Sequence, residues 1–295
     1  MEVACGQCLG CRLDRSRMWA MRIIHESVLP EHNGCNCFIT LTYDDDHIPA
    51  NWSLEKKDFQ DFMKRLRKGL APLRIRFFHC GEYGNKCKHI PVWDERRTVK
   101  DCELCNVGRP HYHAILFGCD FGGVRNWEPV GQSNGVVYYT NAELQRYWPL
   151  GFVQVGQVTF QSAAYVARYV LKKVNGKNER EHYMLVDGDS GACHWVEPEY
   201  CTMSRRPGIG RDFFERFKDD MFPSDEVPVP GVGVMKKVPR YYEEIFARDD
   251  PGIHEEVKAL RRAFRLAHAD EYTPSRLMAK YKVKKAQSDM LRREI

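Results

Sequence analysis

Ten residues, RPHYHAILFG from Arg109 to Gly118, carry the densest chemistry of the chain. They read as a β-strand with two histidines. Side chains alternate across a strand, so His111 and His113 share a face, about 6–7 Å apart at their Cα atoms. Two neutral imidazoles at that spacing can close on one metal ion. Tyr112, Ala114 and Leu116 turn to the opposite face, while Ile115 and Phe117 continue the histidine face inward. Such a pair also occurs as ordinary strand histidines, so the remaining ligands must be sought elsewhere.

Upstream, RIRFFHC (residues 74–80) reads as another strand, and GEYG follows it. Glu82 sits between two glycines where the chain can turn back. If the two strands are antiparallel neighbours, Glu82 comes near the histidine pair. Two imidazoles and one carboxylate make a site for Mg²⁺ or Mn²⁺ with positions left for water and substrate. Taken alone, Glu82 is a loop-tip carboxylate in water.

The segment FQSAAYVARYVLKKV, residues 160–174, reads as a helix with Phe160, Ala163, Ala164, Ala167, Val170, Leu171 and Val174 in one stripe. Tyr165, Tyr169 and Lys172 lie together on roughly the opposite face, the tyrosines one turn apart. The plain alternative is a pair of core tyrosines. In MSRRPGIG, residues 203–210, Arg205 and Arg206 precede a Pro-Gly turn and suit a phosphate, or simply a solvated loop.

The chain has 12 cysteines. With no secretory pattern at the N-terminus, zinc or buried thiols explain them better than disulfides. Cys102 and Cys105 form half of a zinc site inside a long segment between Gly84 and Arg109, and Cys87 adds a third ligand. The fourth is open between His89, Cys80 and the Cys5–Cys8 pair folding across. For Cys5, Cys8 and Cys11 an iron–sulfur reading is weak, because the usual fourth cysteine followed by proline is missing.

Length and composition fit one large domain with additions: 295 residues, 43% of them hydrophobic, with a net charge of +5. No apolar run is long enough to span a bilayer. The segment 251–295 holds a basic surplus equal to the net charge of the whole chain, which suits a polyanion or a solvated helix face. Helices are expected from about Leu13 to Val28, from Ser53 as N-cap to about Leu70, over 142–148, 240–247 and 251–268, and from Thr273 onward. Strands are expected over 35–43, 74–80 and 151–159. The stretch 118–140 reads as irregular, and 221–239 as a linker or wrapping loop.

FITLTY (residues 38–43), RPHYHAILFG and YVARYVLKK, in this order, resemble the three motifs of the HUH endonucleases, in which U is a hydrophobic residue. More narrowly, the chain resembles the rolling-circle replication initiators of the gokushovirus branch of the microviruses, with CGQCLGCRLDRSRMWAMR, SAAYVARYVLKK and MSRRPGIGRDFFERF also similar. The Cys-bearing insertion at 85–108 is the departure from that pattern. The resemblance implies an α+β fold, a central antiparallel sheet with flanking helices. It implies an endonuclease domain over 1–220 and a linker with a basic helical extension over 221–295.

By that resemblance Glu82, His111 and His113 hold Mg or Mn, Tyr169 and Tyr165 are nucleophiles, and Lys172 orients or neutralises the phosphate. The implied activity is nicking and rejoining of an origin through a 5′-phosphotyrosine, starting rolling-circle replication. Substrates would be single-stranded and replicative-form origin DNA, with Arg205, Arg206 and the basic tail on the backbone. A host helicase and polymerase would be partners in the host bacterial cytoplasm. Two other readings use the same residues. One is a non-catalytic, zinc-stabilised nucleic-acid-binding protein. The other is an iron oxygenase or zinc hydrolase.

Overall fold

The computed structural model describes residues 5–6, 8–91, 94, 96–133, 136–169, 174 and 178–290. The helices are α1 (Leu9–Ser27), α2 (Lys56–Gly69), α3 (Ala142–Tyr147), α4 (Phe160–Tyr169), α5 (Glu179–His182), α6 (Arg211–Met221), α7 (Arg240–Asp249), α8 (Pro251–Ala267) and α9 (Pro274–Met290). The strands are β1 (Asn36–Tyr43), β2 (Arg76–Tyr83), β3 (Pro110–Phe117), β4 (Glu128–Ser133), β5 (Val136–Thr140), β6 (Gly151–Gln157), β7 (Met184–Val186), β8 (Cys193–Trp195), β9 (Tyr200–Met203), β10 (Glu226–Val229) and β11 (Gly233–Lys236). They divide into two compact units, residues 30–206 and residues 1–29 with 207–295. This differs from the expected division at 220, because α1 packs with α6, α9 and β10, all remote in sequence.

The unit 30–206 is built on a seven-stranded sheet in the order β4-β5-β6-β1-β3-β2-β9. Every neighbouring pair is antiparallel, so the fold is α+β. One face carries Ile39, Leu41 and Tyr43 of β1 with Tyr112, Ala114 and Leu116 of β3. Helix α2 covers it. Phe59, Phe62, Met63 and Leu66 recur at helical spacing, and all are buried in that core. The opposite face of β3 carries the histidines and meets α4.

Several local expectations give way to longer-range pairing. Glu82 is not in a turn; β2 runs on through Tyr83, with Glu82 opposite His111 and Tyr83 opposite Pro110. Gly81 keeps the strand passable, since a Cβ there would lie 2.9 Å from the Tyr200 ring. Ser53 does not cap α2. Its hydroxyl accepts the Glu197 N–H at 2.9 Å, and Glu55 takes the N-cap position without a side-chain bond. The Glu55 N–H instead donates to the Tyr112 hydroxyl at 2.9 Å, so the sheet itself holds the helix start.

The stretch expected to be irregular contains the β4–β5 hairpin, and the expected linker contains the β10–β11 hairpin. Helix α4 is described as far as Tyr169, and the expected extension over 170–173 lies outside the described residues.

In the second unit α1 buries charged and polar residues against partners late in the chain. The Arg22 guanidinium lies 4.0 Å from both the Trp19 and Tyr241 rings, and its Nε donates to the Ile209 carbonyl at 3.0 Å. Glu26 accepts the Gly210 N–H at 2.7 Å. The His25 ring stacks on Phe213 at 4.0 Å. Its Nε2–H donates to the Pro228 carbonyl at 2.9 Å, leaving Nδ1 to accept the Tyr242 hydroxyl at 2.9 Å. That tautomer satisfies both nitrogens only while the ring is neutral. Burial accordingly lowers the His25 pKa from 6.5 to about 4, against a smaller opposing pull from the Pro228 carbonyl.

A histidine held neutral stabilises the fold fully above its unfolded pKa and loses that contribution as pH falls from 6.5 toward 4. The loss should reach about 3 kcal/mol. Urea denaturation at pH 7 and pH 4.5 checks this. His25→Gln should be less stable at pH 7 yet lose less stability on acidification; equal losses for both proteins would remove His25 as the cause.

Candidate active site

Strand alternation and register bring Glu82, His111 and His113 together. Their ligand atoms all lie within 4.8 Å of one another. The two Nε2 atoms approach the same Glu82 oxygen, at 2.6 Å from His111 and 2.9 Å from His113. Glu82 and His113 are each only 2% exposed, and His111 is half-buried. The imidazole planes are nearly perpendicular, with centroids 4.9 Å apart, so their inner nitrogens converge without ring contact.

The outer nitrogens are also engaged. His111 Nδ1 donates to the Arg109 carbonyl at 3.2 Å, and His113 Nδ1 meets the Thr40 hydroxyl at 2.9 Å. An Nδ1–H bonded in this way leaves the lone pair on Nε2, the form of imidazole that ligates a metal. Two such lone pairs and a carboxylate oxygen then face one another. That donor set needs a cation among its members, whether protons on the imidazoles or a metal ion. Its nitrogen and oxygen atoms suit Mg²⁺ or Mn²⁺. Burial alone would raise the Glu82 carboxyl, but the His111 charge and hydrogen bonds from both imidazoles outweigh it and hold the group well below its usual range.

Arg109 ties the local geometry together. Its Nη2 donates to the Tyr43 carbonyl at 2.9 Å and its Nη1 pairs with Asp45 at 2.7 Å, linking the end of β1 to the start of β3. Its carbonyl also accepts the Gly84 N–H at 2.9 Å.

Helix α4 sets Tyr165 beside this triad. The Tyr165 ring is edge-on to His113 at 5.4 Å and to Phe38 at 6.2 Å. The Arg168 guanidinium stands 5.8 Å from the Tyr165 ring. Ala163, Val166 and Ala167 are fully buried while Tyr165 is partly exposed, so α4 sits on small residues and keeps a tyrosine at the sheet. The side chain of Tyr169 and the whole of Lys172 lie outside the described residues.

The insertion gathers Cys87, His89, Cys102 and Cys105, again within 4.8 Å of one another. His89 Nδ1 is 3.5 Å from both the Cys102 and Cys105 sulfurs, which are 3.6 Å apart. Tetrahedral zinc with its usual bond lengths needs edges of about 3.6 Å for nitrogen to sulfur and about 3.8 Å between sulfurs, so this set fits zinc. The fourth member is His89, and Cys80 is not in the group; it lies in β2 opposite His113 and Cys201. The insertion is bound to the unit by Val186 N–H to the Leu104 carbonyl at 2.9 Å and by Lys88 to Asp187 at 3.1 Å.

Arg205 and Arg206 are exposed and lie apart from the triad. Together with Arg67, Arg74 and Arg76 they line a groove of about 720 Å³. Arg76 begins β2, six residues before Glu82, which at the rise of a strand is about 20 Å along it.

Three contributors carry little or no signal in the sequence. Thr40 orients His113, and its only mark is its place in the FITLTY strand. The Arg109 carbonyl orients His111 through the backbone and leaves no side-chain signature. Arg67, Arg74 and Arg76 join the later arginines only through the fold.

An α+β protein with a three-ligand candidate metal site at the centre of an antiparallel sheet, and a tyrosine on the adjoining helix, is what fold and site define. The family model for the replication-associated proteins of the ORF2 type matches residues 36–92 and 94–174, which span β1, the triad and α4. Replication-associated protein VP4 of Bdellovibrio phage phiMH2K is 30% identical over 260 residues, covering 84% of this chain and 68% of the relative. Replication-associated protein ORF2 of Spiroplasma virus 4 is 28% identical over 258 residues, with the same coverage of 84% and 68%. Replication-associated protein ORF4 of Chlamydia phage 1 is 32% identical over 174 residues, 57% of this chain and 38% of the relative. No solved structure matches. The chain belongs to the family of phage replication-associated proteins.

Where the insertion rejoins the sheet, Gly108 passes so close to the outgoing chain that a Cβ would lie 2.2 Å from the Gly84 carbonyl oxygen and 2.5 Å from that of Lys86. Both obstacles are backbone. Gly108→Ala should therefore cost about 1–3 kcal/mol, read by urea denaturation. Gly131→Ala, where nothing lies within 4 Å, is the control expected to be far milder. Equal losses in the two variants would show that the insertion base relaxes freely.

Proposed function

We propose that the chain is a metal-dependent single-stranded DNA endonuclease and strand-transferase that starts rolling-circle replication of a single-stranded DNA phage. The observation that carries the proposal is the approach of both histidine Nε2 atoms to one Glu82 oxygen, with the Tyr165 ring against His113. The names of the relatives support a role in phage DNA replication.

Glu82, His111 and His113 would hold Mg²⁺ or Mn²⁺, which when bound offsets the charge on a nonbridging phosphate oxygen. The phenol oxygen of Tyr169 or Tyr165 attacks the phosphorus and the bond to the 3′ oxygen breaks. The phenol gives up its proton, and the departing 3′ oxygen gains one and becomes a free hydroxyl that a host polymerase can extend. Lys172 and Arg168, each three residues after a tyrosine, offset charge at the phosphate. Rejoining is the reverse: a 3′-hydroxyl attacks the phosphotyrosine and frees the phenol. A second tyrosine allows a second cleavage while the first still holds DNA. Sequence spacing assigns Tyr169 to the first transfer and Tyr165 to the second.

The groove with Arg205 and Arg206 would hold the DNA backbone away from the scissile bond, and Cys87, His89, Cys102 and Cys105 would hold a structural zinc ion. A host helicase would open the origin, and the setting would be the host bacterial cytoplasm.

A labelled single strand carrying the origin, incubated with Mn²⁺, tests the proposal by covalent capture. His113→Ala should abolish the adduct while largely sparing DNA binding, because backbone contacts dominate affinity. Tyr169→Phe should lose the first attachment, and Tyr165→Phe should cleave once and fail to rejoin. The opposite result for the single variants reverses the order of use. An adduct formed by the Tyr165→Phe, Tyr169→Phe double variant would refute tyrosine attack altogether.

The zinc assignment has its own check. The Cys102→Ser, Cys105→Ser double variant should lose one equivalent of bound zinc and unfold at lower temperature. Unchanged zinc content in that variant would end the assignment.

A further inference from the structure

The start of the chain carries a cluster that the proposed reaction does not use. The ligand atoms of Cys5, Cys8 and Cys11 lie within 4.8 Å of one another. The Cys11 sulfur is 3.9 Å from that of Cys5 and 3.5 Å from that of Cys8, and all three cysteines are free of disulfides. We infer that these cysteines form a mononuclear zinc site, three thiolates with one coordination position open to a ligand from outside the cluster.

The spacing selects the kind of metal centre. Four ligands at the zinc–sulfur bond length leave sulfurs about 3.8 Å apart, close to both separations here. An iron–sulfur cubane places each cysteine on a different iron, with the sulfurs pointing outward and much farther apart. The cluster is too tight for that.

The surroundings favour thiolates. The Cys8 N–H donates to the Cys5 sulfur at 3.3 Å. Cys8 is the N-cap of α1, a helix of 19 residues with no acidic residue in its first turn. Cys11 sits in that first turn, so the positive end of the helix dipole faces the cluster and lowers the cost of thiolate charge. Three thiolates on a dication leave a net negative site, which this end of a helix accommodates.

Cys5 and Cys8 are exposed and Cys11 is half-buried, whereas Cys87 and Cys105 of the other cluster are buried. The ion at the N-terminal cluster should therefore exchange with solvent chelators the faster.

The full-length protein, folded with Zn²⁺ alone as the probe, tests the site. The Cys8→Ser, Cys11→Ser double variant should bind one equivalent of zinc fewer than the parent, whatever the Cys102→Ser, Cys105→Ser variant retains. The two clusters are thus scored separately. Unchanged zinc in the N-terminal variant overturns the inference, and so does iron with acid-labile sulfide bound to this cluster.

A measurement on the unaltered protein removes any dependence on how the variants fold. Cys5 and Cys8, exposed as they are, should be alkylated by iodoacetamide at least tenfold faster after a zinc chelator is added, mapped by mass spectrometry of the N-terminal peptide. Equal rates with and without chelator overturn the site.

Discussion

The register of β3 between β1 and β2 is the constraint on which the site depends. His111 stands opposite Glu82, and His113 stands opposite Thr40. A slip of one residue would send both histidines under α2 and turn Tyr112 toward α4, because strand side chains alternate with period two. The chain secures this register from the far face. The Tyr112 hydroxyl bonds that of Tyr43 at 2.7 Å and accepts the Glu55 N–H at 2.9 Å, and Tyr43 in turn donates to Asp58 at 2.6 Å. The tyrosine between the two histidines thus fixes the strand from below while they converge above. Its hydroxyl has no place in a slipped register.

A buried carboxylate also shapes the electrostatics of the unit. Charge taken out of water is costly unless a partner compensates it. Glu82 has two imidazoles within hydrogen-bond reach. It lies in the middle of a sheet, where its neighbours on β3 cannot move aside without breaking the ladder. The pocket is therefore built to keep a positive charge against this oxygen. Thr40 and the Arg109 carbonyl decide which ring nitrogen faces inward, so orientation is set before any ligand arrives.

The histidine pair is legible in the sequence because strand alternation is a local rule. Helix α2 is legible for the same reason, through Phe59, Phe62, Met63 and Leu66. Glu82 stands out for its chemistry but reads as a turn residue, since only pairing with β3 shows that β2 continues past Gly81. The β4–β5 hairpin is hidden because EPVGQS, its first strand, carries proline and glycine that read as loop. The association of α1 with α6 and β10 has no local signal at all; Arg22, His25 and Glu26 look like the solvated face of a helix until their partners late in the chain are in place. The zinc-spaced cysteines are legible as a group. His89 lies two residues from Cys87, a spacing that argues against it until the backbone brings its Nδ1 beside two sulfurs.

The base of the insertion has a consequence for how such a chain can diversify. Gly84 N–H to the Arg109 carbonyl at 2.9 Å and Arg109 N–H to the Lys86 carbonyl at 2.5 Å carry the β2–β3 ladder beyond Glu82 and His111 before the chain departs. The strands are closed upstream of anything the loop does. Lengthening a loop already closed in this way is cheap, about 0.6 kcal/mol for each doubling. The segment beyond Lys86 is therefore a port at which material can be gained, lost or exchanged between lineages, or grafted by an engineer, while the distance from Glu82 to the histidines stays the same.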